Sequence, residues 1–179
     1  DRTAPDGLRP SRVTRHSALK DVVPNISKQK ILQAVGLIDR TLKSAGVADP
    51  RIAVCALNPH GGDGGNFGRE EIDIVAPAVE EARAINAEVT GPWPADTIFL
   101  KARAGEVDAV VTLYHDQGQI AMKLMGFDRG VTVQGGLPIP VATPAHGTAF
   151  DITGKGVAKV DATRAAFDLL CRLAATQPA

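Results

Sequence analysis

Hydrophobic positions along the chain fall into two recurring patterns, a three-to-four spacing and short continuous apolar runs. Over residues 27–45 the first pattern predicts an amphipathic helix. Its apolar stripe consists of Ile31, Val35, Ile38 and Leu42. Asn25 and Ser27 are both candidate caps for the start of this helix, and Gly46 is the candidate end.

Short β-rich runs and helix-like segments alternate through the rest of the chain. Strands are predicted at 51–57, 87–92 and 107–115, with "SRVTR" at 11–15 as a further candidate. Helices are predicted at 69–85, 94–106, 116–125 and 161–175, the last with apolar positions Ala165, Leu169, Cys171 and Leu173. Acids open the helix at 69–85, and Pro77 predicts its kink or division. The alternation predicts an α/β fold with a mostly parallel sheet and helices on both faces.

Composition narrows the class of protein. The 179 residues suffice for one domain or two small lobes, and 20 basic residues balance 20 acidic ones. Without a basic stripe or an apolar run of about 18 residues, the chain is expected to bind neither nucleic acid nor membrane. Cys55 and Cys171 lie in apolar segments and are predicted to be buried free thiols, which favours a cytoplasmic location.

A glycine-rich loop, "NPHGGDGGNFGREE" at 58–71, follows one predicted strand and precedes a helix. That position is typical of a phosphate site. Its spacing, however, fits neither G-x-G-x-x-G nor G-x-x-x-x-G-K-[ST]. On its own the loop is compatible with a flexible turn, an anion site, or a metal or substrate loop.

Histidines stand at the ends of predicted strands. His60 and His115 end two of them, and His16 follows "SRVTR". Ligands of parallel α/β sheets bind beyond the carboxyl ends of the strands. A lone histidine is more often a hydrogen-bonded structural residue, but three at such ends favour the hypothesis of a catalytic divalent metal. Imidazole donors suit zinc and other transition metals better than calcium.

Candidate acid–base residues lie near these histidines. Asp116 follows His115 directly, Lys123 lies further along, and Asp96 stands at the start of a predicted helix. A metal, an aspartate and a lysine together could polarise a hydroxyl, take its proton and stabilise an enolate. The alternative is that Lys123 is an ordinary exposed side chain and Asp96 a helix N-terminal acid.

Longer motifs resemble one family. They are "TRHSALKDV", "LNPHGGDGGNFGREEID", "GPWPADTIF", "YHDQGQIAMKLMGFDRGV" and "HGTAFDITGKG". In this order they resemble the 4-hydroxythreonine-4-phosphate dehydrogenase family, from about residue 12 to the end. The resemblance implies an architecture like that of the isocitrate and isopropylmalate dehydrogenases. It covers only the C-terminal portion of such a two-lobed enzyme, so the N-terminal half is expected to be absent.

The resemblance also implies roles for individual residues. The implied metal ligands are His16, His60 and His115, the implied catalytic or substrate residues are Asp96, Asp116 and Lys123, and the implied NAD contacts are His146, Gly147, Thr148, Ala149 and Asp151. Family members are homodimers whose active sites draw metal ligands from both subunits. The implied chemistry is hydride transfer from a secondary alcohol to NAD. Loss of carbon dioxide from the resulting β-keto acid, assisted by Zn, Mg, Mn or Co, would follow.

Two substrate positions depart from the family pattern. Members that use phosphorylated substrates usually carry asparagine where this chain has Thr132 and arginine where it has Val141. Valine cannot form the charge-assisted bonds that arginine gives a phosphate, each worth about 1.5–3 kcal/mol. The expected substrate is therefore 4-phosphohydroxythreonine or a related acid, or alternatively the cis-dihydrodiol of terephthalate. A non-catalytic metal-binding or dimerisation fragment is the alternative of another class.

Overall fold

The computed structural model describes residues 10–14, 16–126, 130–137, 139–145 and 147–175. Its strands are β1 Pro10–Arg12, β2 Ile52–Cys55, β3 Val89–Trp93, β4 Ala109–Thr112, β5 Val131–Gln134 and β6 Val141–Pro144. Its helices are α1 Val22–Asn25, α2 Lys28–Ser44, α3 Ala76–Ala82, α4 Ile98–Arg103, α5 His115–Gly126 and α6 Asp161–Ala175. None of the described helices is long and apolar enough to cross a membrane.

The first four strands form a parallel sheet in the order β1-β4-β2-β3. Ala53 in β2 pairs with Val110 of β4 and with Thr90 of β3. β5 and β6 form a separate antiparallel hairpin, which packs against α6. The predicted α/β fold with a mostly parallel sheet is confirmed, as is the candidate strand within "SRVTR". Because the strands of the large sheet are parallel, their carboxyl ends all lie at one edge.

Alternate residues of the central strands point to opposite faces of the sheet. On one face the buried set that packs with α2 and α3 includes Ile52, Val54 and Val111. On the other face the set that packs with α4 includes Ala53, Cys55 and Val110. Every residue of β2 and β4 is buried, as expected for strands covered by helices on both faces.

Two of the predicted helices show how the sequence sets their ends. The Ser27 hydroxyl accepts a hydrogen bond from the Lys30 N–H at 3.3 Å, so Ser27 rather than Asn25 caps α2. Further on, the Ala76 N–H donates to the Glu71 carbonyl, so Glu71–Val75 forms a wide π-helical turn that continues into α3. Pro77 follows at once, and a proline ring crowds the carbonyl four residues before it. We attribute the wider winding to that crowding.

The last helix has the predicted length, and of its four predicted apolar positions only Cys171 lies off the buried side. Ala162, Ala166 and Leu173 are buried, whereas Ala165 and Leu169 are only half-buried. Cys171 is exposed, so its predicted burial is wrong, because its position lies off the stripe that faces the rest of the molecule. The predicted burial of Cys55 in β2 is confirmed.

Candidate active site

Histidines follow three strands at the carboxyl edge of the parallel sheet. His16 follows β1, His60 follows β2, and His115 opens α5 just after β4. Because β1 and β4 are neighbours, the ring centroids of His16 and His115 lie 5.2 Å apart, with the ring planes tilted by 45°. The sheet order thus brings this pair of imidazoles together.

The adjacent carboxylate orients the ring of His115. Its Nδ1 lies 2.7 Å from Oδ1 of Asp116, and the side chains are 35% and 67% exposed. A neutral imidazole that donates its Nδ1–H to the carboxylate keeps the Nε2 lone pair for another partner. In metal sites, a histidine that binds the ion through one ring nitrogen usually donates the N–H of the other to a carboxylate, which fixes the ring orientation.

His60 lies in a left-handed turn of the backbone. The φ angles of residues 60–64 range from +45° to +81°. Left-handed backbone costs roughly 1–2 kcal/mol for a residue with a Cβ, and His60 and Asp63 both carry one. The glycines between and after them adopt it without that cost. The glycine-rich loop therefore forms a compact turn that presents an exposed His60 beyond the end of β2.

Glu71 lies beneath this turn and is 3% exposed. Its Oε1 accepts hydrogen bonds from the backbone N–H groups of Leu57 at 2.7 Å and Asn58 at 2.8 Å, and its Oε2 accepts one from the Asn58 side-chain amide at 2.9 Å. Burial opposes ionisation of Glu71. The hydrogen bonds from Asn58 and Leu57 outweigh it and hold the pKa of Glu71 below its ordinary value.

Sequence reasoning missed Glu71 because it treated the residue as an ordinary acid in the first turn of a helix. The spacing of the apolar residues could nevertheless have indicated that Glu71 is buried. The residues buried along this segment share helical spacing: Glu71, Val75, Ala78, Val79 and Ala82. An acid on the apolar stripe of a helix is expected to have hydrogen-bond partners, because an unpartnered buried carboxylate is too costly.

Gln117 connects the ends of two strands. Its side-chain oxygen accepts a hydrogen bond from the Leu113 N–H at 2.8 Å, just after β4. Its side-chain amide donates to the Ala56 carbonyl at 2.8 Å, just after β2. The segments that lead to His115 and to His60 are therefore tied to each other.

A cavity of about 660 Å³ opens beside these groups, within the usual size range of small-molecule sites. His60, Asp96 and Asp116 line it, and α4 and α5 supply an apolar wall that includes Phe99 and Ile120. Asp96 is exposed in the turn before α4, and within the described residues its carboxylate has no hydrogen-bond partner. The cavity thus combines carboxylates, an imidazole and an apolar surface.

Other predicted site residues lie outside the lining of this cavity. Lys123 is exposed in the last turn of α5. The exposed segment before α6 contains Gly147, Thr148, Ala149 and Asp151. Ala149 has a φ of +50° there, immediately before a single helical turn at Phe150–Ile152. His146 lies outside the described residues.

The two departures from the family pattern lie in the hairpin. Thr132 pairs with Thr143, and Gln134 pairs with Val141. Directly opposed residues in an antiparallel pair share a face, and so do residues two apart on one strand. Thr132 and Val141 are therefore diagonal neighbours on the same face of the hairpin, and both are half-buried.

A family model described as "Pyridoxal phosphate biosynthetic protein PdxA" matches residues 3–170. The chain belongs to the PdxA family. Its relatives include the Pseudomonas aeruginosa protein named "Putative 4-hydroxythreonine-4-phosphate dehydrogenase 2", which is 62% identical over 170 residues, or 94% of this chain and 50% of that protein. The chain spans about half the length of the curated relatives that it matches.

Solved structures of PdxA-like proteins have the same fold. The crystal structure of 4-hydroxythreonine-4-phosphate dehydrogenase from Klebsiella pneumoniae matches with a TM-score of 0.82 and 42% identity, covering 96% of this chain and 52% of that one. A terephthalate 1,2-cis-dihydrodiol dehydrogenase from Burkholderia xenovorans matches with a TM-score of 0.76 and 29% identity. The match covers 93% of this chain and 53% of that one. The resemblance found in the sequence motifs is confirmed.

The metal that the PdxA resemblance implies can be tested against the donors present. In the described part of one chain, no group of three or more His, Cys, Asp or Glu residues is placed to hold an ion. The pair formed by His16 and His115 nevertheless has suitable donor chemistry, with Asp116 orienting one ring. Two imidazoles of one chain thus fit a transition metal, and further ligands must come from outside this pair.

Proposed function

We propose that this chain is the C-terminal portion of an NAD- and divalent-metal-dependent dehydrogenase that oxidises the secondary alcohol of a hydroxy acid. The observation that carries the proposal is the His16–His115 pair beside the Asp116 carboxylate, at the sheet edge where parallel α/β sheets bind ligands. The names of the relatives support the reaction class. Because the chain spans about half of those relatives, the substrate pocket is expected to be completed by other parts of the enzyme.

Three side chains have distinct roles in the proposed reaction. Asp96 accepts the hydroxyl proton, because its carboxylate lines the cavity without a described partner. Asp116 holds the His115 ring through Nδ1. By the family resemblance Lys123, which is exposed on α5 outside the cavity lining, contacts the acidic group of the substrate with its ammonium. Bound NAD would supply the hydride acceptor for the alcohol carbon, and the β-keto acid produced by that oxidation would lose carbon dioxide.

The histidines hold the divalent metal in this proposal. Bound there, a divalent cation supplies Lewis-acid polarisation of the substrate oxygen. Zinc and cobalt suit imidazole donors better than magnesium and manganese do. Because His16, His60 and His115 do not form one group within the described residues of a single chain, the proposal includes a homodimer with active sites shared between its chains.

The proposed NAD site lies in the segment between the hairpin and α6. Gly147, Thr148, Ala149 and Asp151 form it, together with His146. Exposure of the segment and the left-handed backbone of Ala149 support a loop that is open to a ligand. The free thiols of Cys55 and Cys171 support a cytoplasmic location for the enzyme.

The leading substrate is 4-phosphohydroxythreonine or a related phosphorylated acid, which would place the enzyme in pyridoxine biosynthesis or close to it. The names of relatives at 62% and 42% identity support it. A specific observation favours a second candidate, the cis-dihydrodiol of terephthalate in aromatic degradation. Thr132 and Val141 share one hairpin face and replace the two residues expected to bind phosphate.

The deciding experiment offers both substrates to the full-length protein with NAD and either Zn²⁺, Mn²⁺, Co²⁺ or Mg²⁺, and follows NADH. We expect NADH with at least one substrate, and loss of the signal after chelation. A higher kcat/KM for the phosphate ester supports the leading substrate, and a higher value for the diol supports the second.

A non-catalytic metal-binding or dimerisation fragment is the competing function. It predicts metal uptake and self-association but no NADH with either substrate. NADH formation by the wild-type protein therefore separates the two functions, and His115→Ala and Asp96→Asn test the residue roles. Under the dehydrogenase proposal both variants lose turnover, and only the histidine variant loses metal. NADH formation that persists in Asp96→Asn would contradict the role given to Asp96.

A further inference from the structure

The orientation of Glu71 is not required by its place in a helix. An acid in the first turn of a helix is normally exposed and interacts with the helix dipole. The Glu71 carboxylate is instead buried and turned toward the end of β2, where the residues it contacts are 13 and 14 positions away in sequence. Its contacts therefore join two segments, the start of one helix and the loop that follows a strand.

These contacts surround the left-handed turn that carries His60. Glu71 accepts hydrogen bonds from the backbone N–H groups of Leu57 and Asn58, the residues that lead into the turn. On the other side, Gly62 lies so close that a Cβ there would be 2.7 Å from Glu71 Oε2. The carboxylate thus contacts the chain before His60 and after it.

The charge of Glu71 matters to this contact. Hydrogen bonds to an ionised acceptor are roughly twice as strong as neutral ones. A strained backbone conformation such as that of His60 persists only when contacts from the surrounding structure hold it in place. Glu71 accepts three such hydrogen bonds, and it does not line the cavity.

We propose that Glu71 is a positioning residue, which holds the left-handed turn in place and so orients His60 at the carboxyl edge of the sheet. The effect on metal binding rests on the proposed function given above. The effect on the turn itself does not, because it follows from contacts within the chain.

The test compares Glu71→Gln with Glu70→Gln in the full-length protein. The Glu70 carboxylate accepts only from the Asn58 side chain among its described contacts, at 2.7 Å, and glutamine retains an acceptor for that bond. One readout is amide hydrogen exchange of residues 57–66 in metal-free protein. The other is the Kd for Zn²⁺ from a competition titration.

We expect exchange in residues 57–66 to accelerate at least about tenfold in Glu71→Gln, with the amides of β2 and β4 unchanged. The Kd for Zn²⁺ should rise about 10- to 100-fold, the usual effect of losing a residue that supports a metal ligand. Glu70→Gln should change neither quantity. Unchanged exchange in Glu71→Gln, or equal effects of both variants, would overturn the proposal.

The two readouts also separate this inference from the proposed function. If exchange distinguishes the variants while the wild-type protein takes up no zinc, Glu71 holds the turn and the metal-dependent function fails. If zinc binds equally well to all three proteins, Glu71 does not position His60.

A second pair of variants serves if Glu71→Gln does not fold. Gly62→Ala places a Cβ 2.7 Å from Glu71 Oε2, its tightest contact, and 3.1 Å from the Gly68 carbonyl oxygen, whereas Gly64→Ala in the same turn places one in open space. Both glycines have positive φ, +81° and +65°, so both variants carry backbone strain. Faster exchange in Gly62→Ala than in Gly64→Ala supports the contact with Glu71, and equal exchange rates overturn it.

Discussion

The side-chain amide of Gln117 donates a hydrogen bond to the carbonyl of Ala56 at 2.8 Å, across 61 positions of sequence. The same side chain accepts from Leu113. Ala56 leads into the loop that carries His60, and Leu113 leads into the helix that begins at His115. One neutral side chain therefore fixes the spacing of two candidate metal ligands without being a candidate ligand itself.

Removing this bridge should destabilise the chain. In Gln117→Ala the Leu113 N–H and the Ala56 carbonyl lose a partner in a buried region, which should cost about 2 kcal/mol. Urea denaturation of the variant and the wild type measures this loss in the free energy of unfolding. Gln119→Ala on the same helix is the control, because the Gln119 side chain makes no hydrogen bond within the described residues. Equal losses in the two variants would show that the bridge contributes nothing.

The packing of α5 on the sheet should depend on one of its glycines. A Cβ at Gly118 would lie 3.2 Å from both Pro10 Cβ and Thr112 Oγ1, whereas one at Gly126 would meet nothing within 4 Å. Gly118→Val should therefore cost about 2 kcal/mol through overpacking, and Gly126→Val much less. Thermal unfolding of both variants checks this. A Gly118→Val variant as stable as Gly126→Val would mean that α5 shifts freely on β1 and β4.

The buried carboxylate of Glu71 should contribute to acid sensitivity. Its pKa in the folded chain lies below the ordinary value of 4.5, so its stabilisation is full above that value and is lost as the pH falls through the folded value. Glu71→Gln does not titrate. We expect stability to fall less steeply below pH 4.5 in the variant than in the wild type, as measured by urea midpoints. Parallel curves would contradict the lowered pKa.

The two cysteines should differ in reactivity. Burial raises the pKa of Cys55 to about 12, and Cys171 is exposed. Because the thiolate is the nucleophile, iodoacetamide at about pH 8 should modify Cys171 alone in the folded chain. In urea it should modify both. Peptide mass spectrometry locates the adduct, and rapid modification of native Cys55 would show that β2 opens readily.

The elements of the parallel sheet could be predicted because their patterns are local. Apolar runs mark β2 and β4, and the stripe from Ile31 to Leu42 marks α2. The sequence could also place histidines at strand ends. It could not show that β1 lies next to β4, because strand order is decided by long-range packing, and this order is what brings His16 to His115.

The conformation of the glycine-rich loop was beyond sequence reasoning for a different reason. Its glycines permit many backbone conformations, and the left-handed one is selected by Glu71 and Asn58 from outside the turn. The error at Cys171 has a related origin. An apolar pattern shows that a helix has a buried face, but where the pattern is broad it does not show which residues lie at its margin.

The β5–β6 hairpin is hydrogen-bonded separately from the four-stranded sheet. On the proposed assignment, substrate selection rests on Thr132 and Val141 in the hairpin, while the imidazoles belong to the sheet edge. Replacing the hairpin pair leaves the ladder that supports the histidines untouched. A few substitutions in the hairpin can therefore change which acid such an enzyme accepts during evolution. The residues that carry out the oxidation stay the same.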